Sequence, residues 1–184
     1  MQTITDRLRD CLNAPQDPKG LDRSWSEVES ELGIVLPDDY KEFINAYGSG
    51  QITSANGWLN IWNYRDRSLF RSLSDALCGD GSILDHYGAL SKTDYPCPYP
   101  VYPADGGLLP FASEVDVQNL NWITKGPPDQ WEVVYYFFDG AEFFRLERDS
   151  FSKCILKMLA NEYSGLSQPS SLAAPCRFTD FEMR

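Results

Sequence analysis

Residues 24–50 read SWSEVESELGIVLPDDYKEFINAYGSG and predict two helices joined by a short turn. Ser24 and Glu27 stand at capping-box spacing, so each side chain can accept from an N–H group that the first helix leaves unpaired. Gly33 is placed to end that helix. Pro37 suits the start of the second helix, because the N–H that proline lacks would have no partner there. The predicted seam between the helices consists of Trp25, Leu32, Leu36, Tyr40, Phe43 and Tyr47.

The rest of the chain predicts further helices around a set of short strands. Helical periodicity covers residues 3–13, about 66–78 and about 150–163. Strand patterns cover residues 58–62, 108–112, 119–124, 131–138 and 142–147, and Asp139-Gly140 is a dipeptide typical of a tight hairpin. We therefore predict the α+β class, with an antiparallel sheet of short strands covered by helices from both ends of the chain.

Composition places the domain boundaries. We expect residues 1–163 to form a single domain with its core at about 20–163. Residues 164–184 are rich in Ser, Pro and Ala and predict a loosely docked C-terminal tail. Four prolines within 88–107 predict an extended loop, and His86 is assigned to the loop just before them.

The N-terminus and the cysteines indicate a cellular compartment. Residues 1–13 mix charged and isolated apolar residues, so they lack the apolar core of a secretory signal. The longest apolar run, Val133 to Phe138, is far shorter than the roughly 20 residues that a membrane helix needs. Five cysteines without C-x-x-C spacing make a poor disulfide framework and a poor zinc site. We therefore expect a soluble protein of the reducing cytoplasm.

Residues that usually carry catalysis are scarce. His86 is the only histidine, so neither a His-based nucleophile system with a spare histidine nor a multi-histidine metal site can be built. The sequence has no G-x-S-x-G, Walker, G-x-G-x-x-G or H-E-x-x-H motif. We predict a non-catalytic protein without metal or cofactor. An enzyme that works through paired carboxylates and a binder of small ligands stay open as alternatives.

The charge distribution indicates the kind of partner. The chain carries 27 Asp and Glu against 16 Lys and Arg, a net charge of -11, which argues against nucleic acid or an anionic membrane as the partner. Residues 22–42 hold seven acidic and two basic side chains, and residues 105–142 hold seven acidic and one basic. These two segments account for the whole net charge. They favour a protein partner with a basic surface.

Candidate contact residues follow from this balance. Tryptophan is added because it is enriched at interface hot spots, although each tryptophan is also a normal core residue. The candidates are Asp38, Asp39, Glu42, Trp58, Trp62, Glu114, Asp116, Trp122, Asp129 and Glu132. The alternative for the aspartates at 38 and 39 is that they only complement the helix dipole.

The order of apolar residues, proline and glycine in 25–50 closely resembles the N-terminal signature of the SUKH superfamily, the Smi/Knr-like proteins. Residues 109–112 (Leu-Pro-Phe-Ala) and 119–122 (Asn-Leu-Asn-Trp) are similar to later parts of that domain. The resemblance implies an α+β domain with no known catalytic activity. It also implies a bacterial immunity protein that binds and neutralises a cognate toxin, often a nuclease, with a regulatory or scaffold interaction protein as the alternative.

Overall fold

The computed structural model describes residues 4–55, 57–90, 96–114, 118–137, 142–146, 149–163, 172 and 175–181. Its helices are α1 (Ile4–Cys11), α2 (Trp25–Leu32), α3 (Asp38–Tyr47), α4 (Leu73–Cys78), α5 (Ile83–Leu90) and α6 (Phe151–Leu159). Its strands are β1 (Gly50–Thr53), β2 (Trp58–Ile61), β3 (Leu108–Glu114), β4 (Gln118–Ile123), β5 (Val133–Phe137), β6 (Glu142–Leu146) and β7 (Arg177–Asp180). A 3₁₀ turn, Pro128–Gln130, precedes β5.

The strands form one antiparallel sheet in the order β6-β5-β4-β3-β2-β1-β7. Residues paired across neighbouring strands share a face of the sheet. One face packs against α3 and α6, where the Trp122 ring lies 5.0 Å from that of Tyr40 and 6.4 Å from that of Phe151. On the opposite face, the ring of Tyr87 in α5 lies 5.1 Å from the ring of Tyr136 in β5. This architecture confirms the predicted α+β class.

The predicted helix pair is present with the predicted ends. Ser24 and Glu27 form the capping box, and Gly33 ends α2 with a left-handed φ of 70°. The seam residues are buried, except that Trp25 is only partly covered and carries the Arg65 guanidinium above its ring at 5.4 Å. The helical spacing therefore predicted correctly which residues of α2 and α3 pack into the core. This packing fixes the position of the first turn of α3.

Two local predictions need correction. His86 lies in helix α5, which begins behind a side-chain cap, since the Asp85 N–H donates to the Ser82 hydroxyl at 3.1 Å. The helix predicted from residue 66 begins only at Leu73. The reason is that the Asp66 carboxylate accepts from the Ser68 and Leu69 N–H groups and holds a turn there.

Two strands carry no clear pattern of their own. These are β1 and β7, which pair with each other at one end of the sheet. A Cβ atom at Gly50 would overlap the Thr179 carbonyl and the Phe178 ring, so this strand pairing needs glycine at position 50. At the other end, β5 and β6 pair as a hairpin would require, while Asp139-Gly140 lies outside the described residues.

No helix in the described ranges is long and apolar enough to cross a lipid bilayer.

Candidate functional site

The first turn of α3 meets the 3₁₀ turn at Pro128–Gln130. Pro37 occupies the N-cap of α3 and offers no side-chain acceptor. The Asp129 carboxylate supplies that acceptor instead, because the Asp38 N–H donates to its Oδ1 at 2.7 Å. This hydrogen bond joins the two acidic segments, 22–42 and 105–142, which are far apart in the chain.

The carboxylates around this junction outnumber the basic groups. We define the α3 acidic surface as Glu29, Val35, Asp38, Lys41, Glu42 and Asp129. Glu42 follows Asp38 by four residues and therefore lies on the same side of the helix. This set holds four carboxylates and one ammonium group, and Asp38, Glu42 and Asp129 are exposed.

Lys41 balances part of this charge. Its Nζ lies 2.8 Å from Asp38 Oδ1 and 3.2 Å from Glu29 Oε1. Burial lowers the pKa of the Lys41 ammonium group. Hydrogen bonds to these two carboxylates outweigh burial and raise that pKa above its ordinary value. The Asp38 side chain is still 74% exposed, so its pairing with Lys41 is weak and leaves it accessible to a partner.

An apolar residue lies beside these charges. Val35, in the turn between α2 and α3, is 55% exposed, although its neighbour Leu36 is buried. The Leu36 N–H donates to Glu29 Oε1 at 3.0 Å, which places this turn next to the carboxylates. Protein interfaces combine apolar contact area with a polar rim. Sequence reasoning missed Val35, although three successive apolar residues at 34–36 exceed what one helical seam can bury.

Asp39 has a different environment from Asp38. Its Oδ2 accepts the Ser152 N–H at 2.9 Å, so it caps the N-terminal end of α6 from a neighbouring helix. Its Oδ1 is buried. The structure therefore gives Asp39 a role in holding α6 against α3.

Two predicted contact residues lie in the interior, which corrects their assignment to the surface. Trp122 is fully buried because the alternation of β4 directs it into the helix-covered face, where Phe111 is 4.6 Å away. Glu114 is 2% exposed and accepts from the Tyr135 hydroxyl at 3.4 Å. Neither side chain is accessible to a partner. Asp116 lies outside the described residues.

The remaining candidates do not join the α3 acidic surface. Trp58 is on the sheet face opposite Leu59 and hence opposite α3. Trp62 is partly buried, its ring lies 5.8 Å from that of Phe70, and its Nε1–H donates to the Ser113 hydroxyl at 3.2 Å. Glu132 forms an ion pair with Arg145. Of the ten predicted residues, the structure brings Asp38, Asp39, Glu42 and Asp129 together on one element junction.

The imidazole of His86 and the cysteine thiols are side chains that can take part in nucleophilic catalysis. His86 Nε2 lies 2.9 Å from the Tyr136 hydroxyl. Burial raises the pKa of the Cys78, Cys97 and Cys176 thiols, and it raises that of Cys154 to about 12. A raised pKa keeps these thiols protonated and weakly nucleophilic at neutral pH. Among the described residues, no group of three or more His, Cys, Asp or Glu side chains is arranged to hold a metal ion.

A polar surface groove of about 460 Å³ lies beside α2. Its lining combines four charged side chains with two serine hydroxyls: Arg23, Ser26, Glu27, Ser30, Glu31 and Arg67. Arg23 is buried at its base, where it donates to the carbonyls of Tyr64 and Arg71. These bonds tie the segment at 64–71 to α2. The groove thus differs from the deep, mostly apolar pockets that hold small ligands.

A comparison with protein-family models matches residues 21–157 to the SMI1 / KNR4 family (SUKH-1). No curated protein and no solved structure matches the chain. The family match covers the helix pair α2–α3, strands β1 to β6 and most of α6. Helix α1 and strand β7 lie outside it.

Proposed function

The chain belongs to the SMI1 / KNR4 family (SUKH-1), and from this premise we propose that it is a non-catalytic protein-binding module of the cytoplasm. Its role is that of an immunity protein, which binds and neutralises a cognate toxin. The α3 acidic surface is the part of the molecule that recognises the toxin.

One observation carries this proposal. The hydrogen bond from the Asp38 N–H to Asp129 brings the two segments that hold the entire net charge to one junction. A concentrated acidic surface attracts a basic protein and speeds its association. Nuclease toxins need basic surfaces to hold phosphates, so they are the class of toxin that this surface fits.

The exposed Val35 adds a second requirement for the partner. A charged patch alone gives fast but weak association, whereas an apolar contact excluded from water slows dissociation. We therefore expect a toxin surface with a small apolar recess rimmed by Lys or Arg.

The function is tested with the protein encoded directly beside this chain in the genome. We expect that protein to be toxic when it is expressed alone, and to be harmless and bound in a stable complex when the two are expressed together. A neighbour that is not toxic, or a toxic one that this chain neither binds nor neutralises, would contradict the immunity function.

The surface is tested by a matched pair of charge reversals. Asp38→Lys should slow association with the toxin about 3- to 10-fold at about 0.15 M salt, where the Debye length is about 8 Å, because it reverses an exposed charge within the α3 acidic surface. Glu162→Lys makes the same charge change beyond the far end of α6, roughly 15 Å from the end that Asp39 caps. It should leave the rate within about 2-fold. Stopped-flow or biosensor kinetics give both rates.

A third variant separates charge from structure at the junction. Asp129→Asn keeps an oxygen that can accept from the Asp38 N–H but removes the negative charge. It should therefore slow association while leaving thermal stability close to that of the parent. If Asp38→Lys and Asp129→Asn both associate as fast as Glu162→Lys, the α3 acidic surface is not the recognition site.

A further inference from the structure

A second, mostly apolar cavity of about 290 Å³ lies where the two ends of the chain meet. Its walls come from Leu156, Leu159 and Ala160 at the end of α6. Cys11 of α1 and Cys176, the residue just before β7, line the same cavity. Two thiols from opposite ends of the chain therefore share one small space.

Tyr47 fixes the relation between the two cysteine segments. Its hydroxyl donates to the carbonyl of Leu12 at 2.8 Å, next to Cys11. Its ring lies 5.1 Å from the ring of Phe178, two residues after Cys176. One tyrosine side chain thus touches both segments, which keeps α1 and the start of β7 on the same side of the core.

The two thiols differ in accessibility. Cys11 is exposed, whereas Cys176 is partly buried. Burial raises the pKa of the Cys176 thiol, and the nearby Cys11 raises it further. Cys11 is therefore the thiol that meets an oxidant first, and Cys176 is placed to react second.

We propose that Cys11 and Cys176 are a covalent modification site, at which a reversible disulfide fastens strand β7 to helix α1. The proposal does not depend on the immunity function. The oxidant is a low-molecular-weight disulfide such as oxidised glutathione.

The exchange proceeds in two balanced steps. The Cys11 thiolate attacks one sulfur of the small disulfide, forms a mixed disulfide and releases one small thiolate. Cys176 then loses its proton to water and attacks the Cys11 sulfur, which expels the second small thiolate. The protein loses two electrons and two protons, and the small disulfide is reduced to two thiols.

The cross-link acts on a weakly held edge of the sheet. Strand β7 is four residues long and has a single strand neighbour, β1. A bond between residues 11 and 176 closes a loop of nearly the whole chain, which is the case where a disulfide restricts the unfolded state most. We expect it to stabilise the domain and to protect the β7 amides from hydrogen exchange.

The test compares thiols under the same oxidant. The full-length protein and its Cys11→Ser, Cys176→Ser and Cys78→Ser variants are incubated with oxidised glutathione and digested without reduction for mass spectrometry. We expect a peptide that joins residues 11 and 176 in the parent and in Cys78→Ser. In Cys176→Ser we expect a glutathione adduct that persists on Cys11.

The oxidised parent and Cys78→Ser should melt roughly 5–10 °C above their reduced forms and show slower exchange of the β7 amides. Cys11→Ser should show neither change. The proposal is overturned if Cys11 in the parent only accumulates the glutathione adduct, as the exposed Cys78 would, and no joined peptide appears.

Discussion

At the scale of single residues, burial separates two groups of carboxylates. Asp38 and Asp129 are exposed and carry the proposed recognition. Asp39 and Asp149 are less exposed: Asp39 accepts the Ser152 N–H, and Asp149 accepts hydrogen bonds from Lys157 and Tyr163. Acidic side chains that look equivalent in the sequence therefore divide into exposed residues, which are the proposed contacts, and residues that hold the fold together.

Asp39 gives the first test of this division. Asp39→Ala should lower the free energy of unfolding by about 1–2 kcal/mol, because α6 loses the acceptor for the Ser152 N–H. Asp39→Asn keeps an acceptor oxygen and should lose clearly less. Urea denaturation measures both. If Asp39 were instead a contact residue, Asp39→Ala would keep its stability and weaken toxin binding in the folded protein.

Asp149 predicts a dependence of stability on pH. Burial raises the pKa of its carboxyl, but hydrogen bonds from Lys157, Tyr163 and Lys153 outweigh burial and lower that pKa below its ordinary value. A lowered pKa in the folded state stabilises the protein above the unfolded pKa of about 3.9, and this contribution is lost as pH falls through the folded pKa.

The corresponding measurement compares Asp149→Asn with the parent. The parent should be more stable at pH 7, and the difference in unfolding free energy should shrink as the pH falls from about 4 towards 2. A difference that stays constant over this range would mean that the charge of Asp149 does not stabilise the fold.

At the scale of elements, close backbone approach decides where the sheet ends. Gly50 opens β1 and faces Asp180 of β7, where the backbone of the partner strand leaves no room for a side chain. Phe178 then reaches over β1 and packs 6.1 Å from Phe43 of α3. Strand β7 thus relies on glycine at position 50 and on the contacts of the Phe178 ring with Phe43 and Tyr47.

A pair of glycine substitutions tests this dependence. Gly50→Ala should displace β7 and lower the free energy of unfolding, because its Cβ would overlap the Thr179 carbonyl. Gly88→Ala adds the same methyl group inside α5, where nothing lies within 4 Å, so it should be neutral or stabilising by up to about 1 kcal/mol. Hydrogen exchange of the β7 amides distinguishes the two variants. Unchanged β7 protection in Gly50→Ala would show that the strand is held in another way.

At the scale of the whole molecule, ion pairs within the protein reduce the electrostatic attraction that some acidic residues can exert on a distant partner. Two acids of α2 have basic neighbours outside the α3 acidic surface: Glu27 Oε1 lies 3.4 Å from Arg67 Nη2, and Glu31 Oε2 lies 3.9 Å from Arg23 Nε. At Asp38 and Asp129, one lysine balances several acids. The proposed recognition therefore relies on the acids of the α3 acidic surface rather than on Glu27 and Glu31.

Recognition by the α3 acidic surface predicts how association responds to salt. The association rate with a basic toxin should fall steeply as ionic strength rises from about 0.01 M to 1 M, because the Debye length shrinks from about 30 Å to about 3 Å. The dissociation rate should change much less, since it depends on short-range contacts such as the one expected at Val35. If association were equally fast at both salt concentrations, shape and apolar contact alone would drive recognition.

The linear sequence determined the local elements and the class of the fold. Helical spacing and caps in residues 24–50 predicted α2, α3 and their buried seam, and this same order of residues identified the superfamily. These features depend on neighbours within about four residues, so one sequence contains all the information they need.

Tertiary structure alone decided which distant residues meet. The hydrogen bond between Asp38 and Asp129 joins residues that are 91 positions apart in the sequence. Strand β7, at residues 177–180, completes the sheet by pairing with β1 at residues 50–53. The sequence predicts both Trp122 and Asp38 as contact residues, but packing buries the tryptophan fully and leaves the aspartate exposed. Periodicity shows that a strand has two faces, but only the packing of the whole chain decides which face the helices cover.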